Sequence, residues 1–118
     1  GGASEQECLS VAYTVAESPL VKTAFFASDP NWGRILAAIG RAGVKDLNLE
    51  KVTVALGDTL LVSNGAVDEG YRESAGQAEM DRDEISVSIN LARGQAKEKV
   101  WTSDLSSEYV RINADYRS

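Results

Sequence analysis

The sequence predicts an α+β fold, with helices layered on a mostly antiparallel sheet. Three observations carry that expectation. Apolar residues recur at helical spacing up to Gly43. From Lys51 the period drops to two, and it does so again between Ile85 and Leu91. Glycine-containing turns follow or interrupt these alternating runs, as hairpins require.

The elements follow in order. Ser4-Glu5-Gln6-Glu7 is a capping box, and Cys8, Val11, Ala12 and Val15 line one face behind it. An amphipathic helix is therefore expected over about residues 5–17, ended by Ser18-Pro19. Leu20 to Ala27 is short and apolar, and reads as a buried strand or an extended loop. Asp29-Pro30 is expected to open a second helix, with Asp29 as N-cap and Pro30 at the first helical position. Trp32, Ile35, Leu36 and Ile39 form its apolar stripe, and Gly43 is expected to end it. Lys51 to Leu56 alternates as a strand, Gly57-Asp58 turns, and Leu60 to Val62 continues as a second. Residues 68–81 are polar with weak helical character. Ile85 to Leu91 is the clearest strand, Arg93-Gly94-Gln95 turns it into Lys97 to Thr102, and a final strand covers about 109–113. The 118 residues are expected to form a single domain.

Composition narrows the function. Twelve Lys and Arg against 18 Asp and Glu leave a net charge of −6, which argues against a nucleic-acid backbone binder. No apolar run approaches the length of a membrane span. One cysteine, Cys8, allows no internal disulfide and fits a reducing, cytoplasmic compartment. The absence of histidine removes Ser-His triads and most zinc sites from this chain. The first residues lack a basic region followed by an apolar one, and read as a processed, truncated or engineered end rather than a signal peptide.

Three places could carry chemistry. Asp29-Pro30-Asn31-Trp32-Gly33-Arg34 combines a helix start with a planar cation, which could hold a carboxylate or phosphate. The plainer reading is that Asp29 caps, Trp32 packs and Arg34 lies on a solvated face. Lys22 sits in an apolar stretch, either facing a substrate or snorkelling to the surface. At the end, Asn113 offers a donor and an acceptor, and Ser118 a hydroxyl, groups suited to an α-amino acid. That segment is either a frayed tail or, as the alternation of Val110 and Ile112 suggests, pinned to a sheet. Carboxylates such as Asp68, Glu79 and Asp81 read as solvated charges, and Cys8 as an inert buried thiol.

Ser18-Pro19-Leu20-Val21-Lys22-Thr23-Ala24, the Asp29-to-Arg34 segment, Trp101-Thr102-Ser103-Asp104-Leu105 and Ile112-Asn113-Ala114-Asp115-Tyr116 share an order and spacing. In that arrangement nearly the whole chain resembles the C-terminal part of the β chain in the ornithine acetyltransferase family, the bifunctional glutamate N-acetyltransferases. The resemblance implies part of a larger layered α/β fold. It implies an enzyme of arginine biosynthesis that moves acetyl from N-acetylornithine to glutamate, some members also using acetyl-CoA as donor, with no metal or organic cofactor. It implies a precursor that cleaves itself into α and β chains, which assemble as oligomers of αβ units. The freed N-terminal threonine of the β chain is then the nucleophile. Here the threonines are internal and residue 1 is Gly1, so no catalytic residue is expected in this chain. The α chain and the first part of the β chain are the expected partners. Asn113 and Ser118 match the family's substrate-binding positions, whereas Lys22 and Arg34 match motif positions without an implied substrate contact. A stand-alone amino-acid-binding or interaction module, and an N-terminal-nucleophile hydrolase, stand as competing readings. An isolated piece of such a fold is also expected to expose an apolar edge or face and to associate.

Overall fold

The first helix begins where its cap predicts. In the computed structural model, which describes residues 1–104, α1 spans Glu5–Ala16. Ser4 Oγ accepts from the Glu7 N–H at 3.1 Å. The reciprocal bond runs one residue further out, from the Ala3 N–H to Glu7 Oε2 at 2.8 Å. Glu7 also takes Arg93 Nε at 2.9 Å, so this carboxylate ties the start of α1 to the chain end of the sheet. The Arg93 hydrogen bond first, and the Ala3 N–H second, hold its carboxyl below the usual glutamate range. The ionised form is favoured on folding, so the contribution is fully present above the ordinary glutamate pKa. It is lost as pH falls through the lower folded value. Unfolding midpoints in urea, followed from about pH 5 to about pH 3, are therefore expected to fall more steeply for the native chain than for Glu7→Gln. Equal slopes would show that the pair contributes nothing.

Residues Pro19–Phe26 form a helix, α2, where a strand or loop is expected. Ser18 caps it, its Oγ accepting from the Val21 N–H at 3.3 Å, and Pro19 sits in the first turn with no N–H to satisfy. Val21 and Ala24, three positions apart, face inward. The third helix, α3, spans Trp32–Gly40 and starts later than expected. Its N-cap is Asn31, not Asp29: Asn31 Oδ1 accepts from the Arg34 N–H at 3.0 Å. Asp29 instead accepts from the Asn31 side chain at 3.0 Å. The helix also ends earlier, with Arg41 as C-cap, although Gly43 does take a left-handed φ of +80°.

A 3-10 turn at Leu49–Lys51 leads into β1 (Thr53–Leu56), which pairs antiparallel with both β2 (Thr59–Ser63) and β4 (Val87–Asn90). A short β3 (Ala66–Val67), absent from the expected elements, completes the sheet order β3-β2-β1-β4. It is closed by a tight turn at Asn64-Gly65, whose φ values of +53° and +79° suit this dipeptide. The register shifts between Val54 and Ala55, so Leu61 and Val62 both oppose the Val54 end of β1. That bulge explains how two successive residues are fully buried. The fourth helix, α4 (Glu73–Met80), falls in the weakly helical stretch and packs on β1 and β2.

The core joins α3 to one sheet face. Ile35 and Ile39 lie with Val52, Val54, Leu56, Leu61 and Val62, all at 0% exposure. The other face presents Thr53, Ala55, Leu60, Ser88 and Asn90, with Leu60 exposed. Residues 97–102, expected as a strand, carry only an isolated bridge beside them, between Gly2 and Ala96. The expected strand at about 109–113 lies outside the described residues.

Candidate functional site

The fold brings two of the four sequence motifs together. Ser18, Pro19 and Leu20 form one wall of a groove of about 470 Å³, and Asn31, Gly33 and Arg34 the other, with Arg41 at its end. The walls belong to different helices, so the groove exists only because α2 turns back against α3. Arg34 is the strut. Its Nη1 donates to the Leu20 carbonyl at 2.9 Å and lies 3.4 Å from Thr23 Oγ1.

This settles the surroundings of Arg34. The guanidinium is neither on a free solvated face nor open on all sides to a ligand. One of its five donors is committed to the Leu20 carbonyl, in the first turn of α2, and is not free for a ligand. The start of α3 is likewise satisfied by Asn31 rather than left open. What remains is a largely apolar groove with two guanidinium groups and no carboxylate in its lining, within an acidic chain. Such a surface favours an apolar segment bearing a negative group. Lys22 sits half-buried on α2.

A third motif reaches the end of α1. Thr102 Oγ1 donates to the Ala16 carbonyl at the end of α1, at 3.1 Å, close in sequence to Ser18. Trp101 is 74% exposed, with the Lys99 ammonium 5.4 Å from its ring centroid. The fourth motif, with Asn113 and Ser118, lies outside the described residues. Cys8 is half-buried and donates to the Ala96 carbonyl at 3.3 Å. A second depression of about 380 Å³ lies between Ala3, Asp46, Lys51 and Arg93, where Arg93 is already engaged by Glu7 and by the Asp46 carbonyl at 3.1 Å. Sequence reasoning passed over Arg93. Its two anchors lie 86 and 47 positions away, and nothing local in the chain announces them.

Among the described residues no group of three or more His, Cys, Asp or Glu could hold a metal ion, and no helix is long and apolar enough to cross a membrane.

Comparison with known proteins agrees over the whole length. The model of the ArgJ family matches residues 1–118. The chain is 58% identical to the arginine biosynthesis bifunctional protein ArgJ of Pseudomonas fluorescens and 60% identical to that of Psychrobacter arcticus, in each case over all of this chain and 29% of the relative. It thus spans under a third of the length of the curated relatives it matches. The crystal structure of the arginine biosynthesis bifunctional protein from Bacillus halodurans superposes with a TM-score of 0.87 at 38% identity, covering 98% of this chain and 54% of that one. The mixed helical and antiparallel architecture is therefore that of a solved protein.

Proposed function

This chain belongs to the ArgJ family, and on that premise we propose that it forms the substrate-closing part of an acetyltransferase that moves acetyl from N-acetylornithine to glutamate in arginine biosynthesis. The observation that carries the reading is the family match over all 118 residues. The chain spans 29% of such a relative, which supports the reading that most of the machinery lies in the remainder. A threonine nucleophile, generated by self-cleavage into α and β chains, is expected in that remainder.

The chemistry divides accordingly. The threonine hydroxyl, deprotonated by its own α-amine, attacks the acetyl carbonyl of N-acetylornithine. The amide C–N bond breaks, ornithine leaves with a proton on its nitrogen, and an acetyl ester remains on the threonine. The glutamate amine then attacks that ester, forming N-acetylglutamate and restoring the threonine. This chain's share is orientation. Asn113 and Ser118 would hydrogen-bond the amino-acid end of each substrate and hold the reacting nitrogen near the ester, where proximity lowers the barrier. Acetyl-CoA as an alternative donor accords with the word bifunctional in the names of the relatives. A cytoplasmic αβ oligomer completes the proposal, which calls for no metal or organic cofactor.

The test is to express the full-length gene product and supply N-acetylornithine and glutamate. N-acetylglutamate and ornithine are expected in equal amounts, without added acetyl-CoA. A folded protein that forms neither overturns the reading. Acetate released without an acceptor points instead to an N-terminal-nucleophile hydrolase.

A further inference from the structure

We propose that the segment immediately upstream of Gly1 in the full-length protein is a β-strand that inserts between β4 and residues 96–101, parallel to the first and antiparallel to the second. The sheet would then grow from four strands to six.

The slot is visible in the hydrogen bonds around Gly1 and Gly2. Gly2 exchanges both backbone bonds with Ala96, its N–H to the Ala96 carbonyl at 3.1 Å and its carbonyl to the Ala96 N–H at 3.0 Å. The preceding carbonyl, that of Gly1, points the other way and accepts from the Arg93 and Gly94 N–H groups at 2.8 and 3.0 Å. The Gly1 ammonium, whose protons rotate freely, also reaches the Ala96 carbonyl at 2.9 Å. A chain bonded on both sides in this way is the end of an interior strand, because successive peptide groups of an extended chain point to opposite sides. Gly94 makes the close passage possible: a Cβ there would lie 2.7 Å from the Gly2 carbonyl oxygen.

Both walls of the slot have edges to offer. The Gly57 N–H bonds to the Ser86 carbonyl at 2.8 Å, so Ser86 faces β1, and by alternation Ser88 and Asn90 do too. Val87 and Ile89 therefore turn their N–H and C=O groups to the outer edge of the sheet, where β4 is the last strand among the described residues. On the other wall, counting in twos from Ala96, Glu98 and Val100 point into the slot. This also explains the missing strand at residues 97–102: its sequence suits a strand, and the partner lies upstream of Gly1. The occupant is covalently continuous with the slot, and relatives carry most of their length outside the matched region. The proposal rests on the family membership only for the existence of that upstream chain.

The register follows. On the antiparallel wall, Gly2 pairs with Ala96, so the residue just before Gly1 exchanges bonds with Glu98. The second residue before Gly1 sits opposite Lys99 in a close, non-bonded pair, a geometry in which a disulfide fits. In the full-length protein carrying Cys8→Ser, cysteine is placed at that second upstream position together with either Lys99→Cys or Glu98→Cys. Mild oxidation followed by mass spectrometry of the digest is expected to show the cross-link with Lys99→Cys and at least tenfold less with Glu98→Cys. Absence of the Lys99→Cys cross-link, or equal yields from the two, overturns the register. A second measurement covers a pair that fails to fold. Glu98→Pro removes an N–H aimed into the slot and is expected to lower the melting temperature of the full-length protein by several degrees. No change would sink the proposal. Neither measurement reads acetyl transfer, so the strand and the enzymatic function stand or fall separately.

Discussion

Replacing Ile39 by alanine is expected to lower the stability of the chain by about 3–5 kcal/mol, the upper part of the range for truncating a buried isoleucine. Ile39 is at 0% exposure, on the helix that meets both neighbouring helices and closes over the sheet. The loss has two parts. The removed methyl groups forfeit their transfer out of water, and the space they leave is walled by residues held from several directions. Ile35 precedes it by one turn, and Val54 and Leu56 sit on a strand paired on both edges, so none can move in without breaking other contacts. Ala37→Ser on the exposed side of the same helix is the control, expected within about 0.5 kcal/mol of the native chain. Urea unfolding monitored by circular dichroism reads both. A loss below about 1 kcal/mol for Ile39→Ala would mean that α3 repacks freely and does not organise the core.

On the proposed function, Asn113→Ala in the full-length enzyme is expected to cut kcat/KM for acetyl transfer by about 10- to 100-fold. The side chain offers a donor and an acceptor to an amino-acid substrate whose own groups are charged, and hydrogen bonds to charged groups contribute about 1.5–3 kcal/mol each. Removing them leaves the substrate's ammonium or carboxylate without a partner in a closed site. The split between parameters is informative. If Asn113 only holds substrate, KM rises and kcat is kept, whereas a misplaced nitrogen lowers kcat as well. Asn113→Asp, which keeps the shape and the acceptor, should recover part of the rate if the acceptor is what matters. Transfer kinetics unchanged in Asn113→Ala would remove this residue from the substrate site.

How much of this could be read beforehand depended on the range of the interactions. The capping box of α1 was legible because Ser4 and Glu7 meet within one turn. β1 and β4 were legible because alternation survives in the chain as a period of two. α2 was not, since eight apolar residues support a strand as well as a helix, and the Ser18 cap with Pro19 behind it was the deciding sign. Asp29 and Asn31 are both good caps, and only the turn between them selects Asn31. β3 was not legible either, because at two residues it is too short for any period to show.

For the site, the sequence singled out Asp29–Arg34 from its residues and Ser18–Ala24 as a family motif, and Asn113 and Ser118 from both. It did not say that the first two would share a groove, nor that Arg34 would brace the Leu20 carbonyl across 14 positions.

The sequence by itself determined the cap of α1, the alternation of β1 and β4, the acidic balance, and the family to which the chain belongs, all of them local or compositional properties. Only the tertiary structure decided that α2 folds back on α3, that Arg93 joins Glu7 to the Asp46 backbone, that a bulge buries both Leu61 and Val62, and that Gly1 bonds to Arg93 and Gly94 while Gly2 bonds to Ala96. Those outcomes depend on which distant groups satisfy each other's hydrogen bonds and exclude each other's water. A one-dimensional pattern records each partner but not their meeting.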